Sequence, residues 1–148
     1  MTEEAIKNDL TDKFGFLANT ARVQRKRRIW ADVDRDNFRK VFDYAVNDLE
    51  FSILCTVTGL DEGSRYGFVY HIAKEDGIML NLKTWAPKET ASIKTITDAF
   101  PSADIYEREI ADLLGVKIEG LASGRRYPLP DDWPAGEHPL RKDWKRSS

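Results

Sequence analysis

Residues 51–84 read FSILCTVTGLDEGSRYGFVYHIAKEDGIMLNLKT, and the period of this stretch decides the fold. Phe51, Ile53, Cys55 and Val57 alternate with more polar neighbours. Tyr66, Phe68, Tyr70 and Ile72 repeat the pattern, and so do Ile78, Leu80 and Leu82. A period of two marks strands with one buried face. Gly63 lies in the first connection and Asp76-Gly77 in the second. Asp-Gly suits a hairpin because both residues tolerate positive φ. The stretch predicts an antiparallel meander.

Upstream, Phe38, Val41, Phe42, Ala45 and Leu49 recur at helical spacing, with Asp34 placed to cap the helix. Residues 21–33 carry Val23, Ile29, Trp30 and Val33 among many bases and read as one exposed edge strand, since basic side chains discourage edge-to-edge pairing. Residues 1–19 predict a short helix ending near Phe14–Gly15. Downstream, a loop through Pro87 leads to a short predicted helix near Ser92–Ala99. A clearer helix follows at 104–114, with Asp104 as cap and Glu107 bonding back to it. Tyr106, Ile110, Leu113 and Leu114 are its apolar stripe, and Gly115 ends it. The expected architecture is α+β: an antiparallel β-sheet with helices packed on one face and an extended Pro-rich C-terminal tail. The expected segments are an N-terminal piece, 1–20, a domain, 21–120, and the tail, 121–148.

Composition narrows the function. The formal net charge of -2 is too close to zero for a chain that binds nucleic acid by neutralising phosphates. Cys55 is the single cysteine, so neither an internal disulfide nor a four-thiolate iron–sulfur site is possible. No signal peptide is expected at the acidic, polar N-terminus, and no apolar run approaches the ~20 residues of a membrane span. A soluble, cytoplasmic chain is expected.

The residues offer little for catalysis. His71 sits mid-strand in opposite phase to Tyr70 and Ile72, and His138 lies between Glu137 and Pro139, without partners for a zinc site. Arg108 and Asp112 stand four apart and can pair. The run Arg22, Arg25, Lys26, Arg27, Arg28 suits a basic edge strand better than a nucleic-acid site. No phosphate-cradling glycine motif and no nucleophile elbow is present. A stand-alone enzyme using Glu107, Glu109 and Asp112 would need a pocket of perturbed carboxylates. No catalytic, cofactor-binding or metal-ligating residue is assigned.

Residues 121–148 differ. Pro128, Pro130, Pro134 and Pro139 exclude a long helix or a central strand, yet Tyr127, Leu129, Trp133, Leu140 and Trp144 are too apolar for a disordered tail. Trp and Arg dominate interface hot spots, and proline lowers the entropy lost on docking. Residues 104–144 therefore read as a binding surface.

Tyr106-Glu107-Arg108-Glu109-Ile110-Ala111-Asp112-Leu113-Leu114-Gly115-Val116 resembles the "E-R-E-x-x-D-L-[FL]-G-[IV]" segment of the 30 kDa subunit family of respiratory complex I. Glu119-Gly120 and Arg125-Arg126 are similar to the "E-G-H-P-D-L-R-R" that follows there, and His138-Pro139-Leu140-Arg141-Lys142-Asp143 to its "H-P-L-R-K-D" ending. Leu121, Ala122, Ser123 and Gly124 depart from the pattern. Leu129-Pro130-Asp131-Asp132-Trp133-Pro134 looks more like the version in energy-converting [NiFe] hydrogenases.

The resemblance implies a cofactor-free accessory subunit of a membrane-associated oxidoreductase complex. A hydrogenase is the first expectation and a NADH:quinone oxidoreductase the alternative. It implies docking on the catalytic large subunit, close to a small iron–sulfur subunit. The [NiFe] site and the iron–sulfur clusters would lie in partner subunits, and the chain would sit on the cytoplasmic face of the membrane through the complex. The residues expected at the partner are Glu107, Arg108, Glu109 and Asp112 on the helix, Arg125, Arg126, Asp132 and Trp133, then Pro139, Leu140, Arg141, Lys142, Asp143 and Trp144. Arg125, Arg126, Arg141 and Asp143 are expected to pair with partner charges, and residues 121–148 to become ordered only there.

Overall fold

The computed structural model describes residues 1–146. The chain forms two compact units, residues 1–56 with 69–84, and residues 57–68 with 85–148. A five-stranded sheet has the order β1-β2-β5-β4-β3, where β1 is Arg22–Arg25, β2 Arg28–Asp32, β3 Ile53–Asp61, β4 Arg65–Ala73 and β5 Met79–Pro87.

In the first unit, helix α1 (Glu3–Lys13) is capped by the Thr2 hydroxyl, which accepts from Ala5 N at 3.1 Å, and buries Ile6 and Leu10. The predicted edge strand at 21–33 is a hairpin of two strands. Arg27 turns it at φ 60, β1 pairs antiparallel with β2, and β1 is the edge. Helix α2 (Arg35–Asn47) starts at Asp34, whose carboxylate accepts from Asn37 N at 3.3 Å. Its predicted face is buried, and Phe38 and Phe42 place their rings 4.5 and 6.2 Å from that of Tyr70. His71 Nδ1 lies 2.6 Å from Asn81 Oδ1, a cross-strand contact of the sheet.

The three predicted strands are present, but the sheet is mixed rather than antiparallel, because β2 pairs parallel with β5. After β2 the chain runs through α2 and enters β3 at the far edge. The meander then returns β5 alongside β2 in the same direction. Period-two patterning reports which face is buried and carries no information on strand direction.

In the second unit, Ser92–Lys94 is a strand, β6, and not the start of a helix. It pairs parallel with β7 (Lys117–Glu119), and Thr95 N continues the pairing to Glu119 O at 2.8 Å. Helix α3 (Ala103–Leu114) begins one residue before Asp104, and its N-cap is Ser102, which makes no side-chain capping bond, in place of the expected Asp104. Its inner face buries Ala103, Ile110 and Leu114. Gly59 permits a close approach to that face, since a Cβ there would lie 2.9 Å from Leu114 Cδ1 and 3.0 Å from Ile110 Cγ1. As the sequence predicts, α3 ends at Gly115, which takes the left-handed conformation at φ 74. Among the described residues, no helix is long and apolar enough to cross a membrane.

Candidate functional site

Three carboxylates in the second unit, Asp61, Glu107 and Asp112, are buried. Burying an ionised group is unfavourable unless hydrogen bonds or an opposite charge replace its water. Each of the three therefore fixes the segments that supply its partners.

Glu107 points inward, against the expectation that it bonds back to the helix start or faces a partner. Its Oε2 accepts from the Thr95 hydroxyl at 2.6 Å and its Oε1 from Ile96 N at 2.7 Å. Burial raises its carboxyl above the usual range, opposed by those two hydrogen bonds. The carboxylate thus serves as a bracket that holds the backbone just after β6 against α3.

Asp112 takes Arg126. The Nε of Arg126 donates to Oδ1 at 2.9 Å, and Leu129 N donates to Oδ2, also at 2.9 Å. The other branch of Arg126 donates to the Trp133 carbonyl at 2.9 Å. Arg108, expected as a partner of Asp112, pairs instead with Asp104 at 2.8 Å and donates to Ala122 O at 2.7 Å.

The end of α3 is capped by residues 138–141. The last carbonyls of a helix lack intrahelical donors. His138 Nδ1 donates to the Asp112 carbonyl at 2.8 Å, Leu140 N to that of Leu113 at 3.0 Å, and Arg141 Nε to that of Leu114 at 2.6 Å. A cation at this end also meets the negative pole of the helix. The Arg141 guanidinium lies 5.8 Å from the Tyr66 ring centre. Trp133 and Trp144 meet each other at 6.0 Å between centroids, and Trp133 Nε1 donates to Glu137 O. From sequence alone these charges and aromatics are expected to face outward, to a partner. The structure engages Arg126, Arg141 and both tryptophans within the chain, because α3 supplies unfilled carbonyls and a buried carboxylate.

Asp61 was not singled out from sequence. It lies at the end of β3, accepts from Gly63 N at 2.8 Å and Lys142 N at 2.9 Å, and pairs with Lys88 at 2.9 Å. Burial pushes its carboxyl up, but the two backbone donors and Lys88 outweigh it and hold the pKa at about 2. The Asp-x-Gly spacing at 61–63 was the available signal, an aspartate accepting from the backbone two residues on.

A folded pKa below the unfolded value stabilises the chain above the unfolded pKa and is lost as pH falls through the folded one. The wild-type chain should lose about 2 kcal/mol between pH 5 and pH 2 through this group alone. Asp61→Asn should be less stable at pH 7 and flatter in that window. Urea unfolding across the pH range measures it, and parallel curves for both chains would refute the assignment.

Of the other expected contact residues, Glu109, Arg125, Asp132, Leu140, Lys142 and Asp143 have exposed side chains, while Pro139 is half-buried. Together with Tyr127 they form the outward face of 109–143. Among the described residues, no group of three or more His, Cys, Asp or Glu stands close enough to hold a metal ion.

The family model described as "Respiratory-chain NADH dehydrogenase, 30 Kd subunit" matches residues 31–148. A subunit of the F(420)H(2) dehydrogenase of Methanosarcina mazei is 35% identical over 148 residues, covering 98% of this chain and 93% of that protein. The beta subunit of the membrane-bound hydrogenase of Pyrococcus furiosus is 27% identical, covering 96% and 86%. A chain in the structure of the membrane-bound sulfane sulfur reductase, an archaeal respiratory membrane complex, superposes with a TM-score of 0.81 at 27% identity, covering 96% of this chain and 85% of that one.

Proposed function

Because this chain belongs to the respiratory-chain NADH dehydrogenase 30 Kd subunit family, we propose that it is an accessory subunit of a membrane-associated, energy-converting oxidoreductase complex. It carries no redox group of its own and docks on the catalytic large subunit. The observation that supports this best is the likeness along almost the whole chain to subunits of a hydrogenase and of a dehydrogenase complex. The buried carboxylates agree with it. Each has its oxygens engaged by donors of this chain (backbone N–H groups, the Thr95 hydroxyl, Arg126 and Lys88), so they act as brackets, and the exposed groups of 109–143 are left for a partner. The tail, 121–148, serves as the docking face, with the shape of its described part set beforehand by α3. The catalytic metal and the clusters belong to neighbouring subunits, and the membrane is reached through them.

The first reading is a hydrogenase complex, in keeping with Leu129–Pro134. A second reading, a dehydrogenase complex, is favoured by the higher identity to the F(420)H(2) dehydrogenase protein. Purification through a tag on this chain, from detergent-solubilised native membranes, tests both. A large subunit and an iron–sulfur subunit should co-purify in equal amounts. Nickel in that preparation selects the hydrogenase, and its absence together with reductant-oxidising activity selects the dehydrogenase. Recovery of the tagged chain alone would overturn the accessory reading.

A further inference from the structure

We propose that the cleft between α3 and residues 121–127 receives the carboxylate of an acidic side chain from a partner subunit, held by Arg108 and Arg125 beside the Tyr127 ring. This rests on the accessory-subunit reading and names the chemistry of one contact within it. The cleft has a volume of about 210 Å³ and is lined by Arg108, Ala111, Gly124, Arg125, Arg126 and Tyr127 among others.

The charges in it do not cancel. Asp104 holds Arg108 through Nε and Nη2, and Asp112 holds Arg126. The side chain of Arg125 is 89% exposed, and its nearest carboxylate, Asp131, stands 3.7 Å away and is itself exposed. One arginine is therefore surplus. Arg108 Nη1 has no hydrogen bond among the described residues, and it lies where a side chain at 124 would sit. A Cβ on Gly124 would come within 3.0 Å of it. Glycine at 124 thus leaves Nη1 uncovered. Nη2 spends both its hydrogens on Asp104 and Ala122 O, so Arg108 offers a carboxylate the Nη1 donors, and the exposed Arg125 guanidinium supplies the second arm.

The surroundings select a protein as the source of the anion. Tyr127 is 42% exposed and Ile105, on the same face of α3 as Arg108 and Asp112, is 46% exposed. Exposed tyrosine, isoleucine and arginine together fit an acidic residue flanked by apolar ones. A nucleic-acid strand binds through many phosphate contacts, whereas the cleft offers a single arginine outside a close carboxylate pair, enough for one carboxylate.

The test uses the native complex with two variants of the tagged chain. Arg125→Glu should lower the amount of large subunit recovered roughly tenfold, with the melting temperature of the lone chain unchanged because the side chain is solvated. Arg125→Lys should keep the complex, and carbodiimide should join the amine introduced at position 125 to an aspartate or glutamate of another subunit, located by peptide mapping. Unchanged recovery with Arg125→Glu, or a crosslink to Asp131 of the same chain alone, overturns the proposal while a wild-type complex that purifies intact leaves the accessory reading standing. A wild-type chain recovered without partners overturns both.

Discussion

Replacing Asp112 by alanine is expected to lower the stability of the lone chain by about 3–4 kcal/mol, the largest effect of any single charge contact described above. The substitution leaves the Arg126 guanidinium without its carboxylate and Leu129 N without an acceptor. It also releases the arm that reaches the Trp133 carbonyl. Asp112→Asn should cost about half as much, since an amide oxygen can still accept from Leu129 N while the charge on Arg126 goes unpaired. Urea unfolding of the two variants measures the difference. A loss under ~1 kcal/mol for the alanine variant is the size expected of a surface pair and would show that water replaces the carboxylate without penalty.

Gly115→Ala should cost about 3 kcal/mol for two separate reasons. The φ of 74 places an alanine in the left-handed region. Its Cβ would also fall 2.5 Å from His138 Cδ2 and 2.6 Å from His138 Nε2, and would collide with Arg141. Relief requires residues 138–141 to leave the helix end, which strips the carbonyls of Asp112, Leu113 and Leu114 of their donors. Limited proteolysis should then cut between 137 and 145 faster than in the wild type, along with the lower urea midpoint. Loss of stability without new cleavage would mean that strain at 115 acts alone and that the tail stays seated.

The meander, the face of α2, its Asp34 cap and the end of α3 at Gly115 were legible because each follows from a local rule: period two, period 3.6, a side-chain cap, a positive φ. The parallel β2–β5 pair was not legible, since direction is set by where the chain returns after α2 and not by its pattern. Residues 92–99 misled because a three-residue strand shows too little alternation to outweigh helical propensity, and its partner, β7, lies far along the chain. The candidate site was half legible. The motif residues were found, but Glu107, Asp112, Arg126 and Arg141 were read as outward-facing because charge in a sequence defaults to solvent. What overrides the default is the set of empty acceptors and donors on α3 and after β6, which exists only once the fold is made. Beyond the local turn to Gly63, the role of Asp61 was hidden because its other donors, Lys88 and Lys142, lie 27 and 81 residues away.

That last separation has a kinetic meaning. The carboxylate of Asp61 reaches its final environment only when Lys142 N arrives, so one of the most local-looking turns, 61–63, is completed by one of the longest loops to close. Closing a long loop is entropically unfavourable and contacts of this kind form late. During synthesis the Asp61 bracket stays incomplete, its carboxylate partly hydrated, until the segment bearing residues 138–142 is free to fold back. A partner that grips the outward face of that segment would meet it only after α3 is capped, which orders assembly after folding.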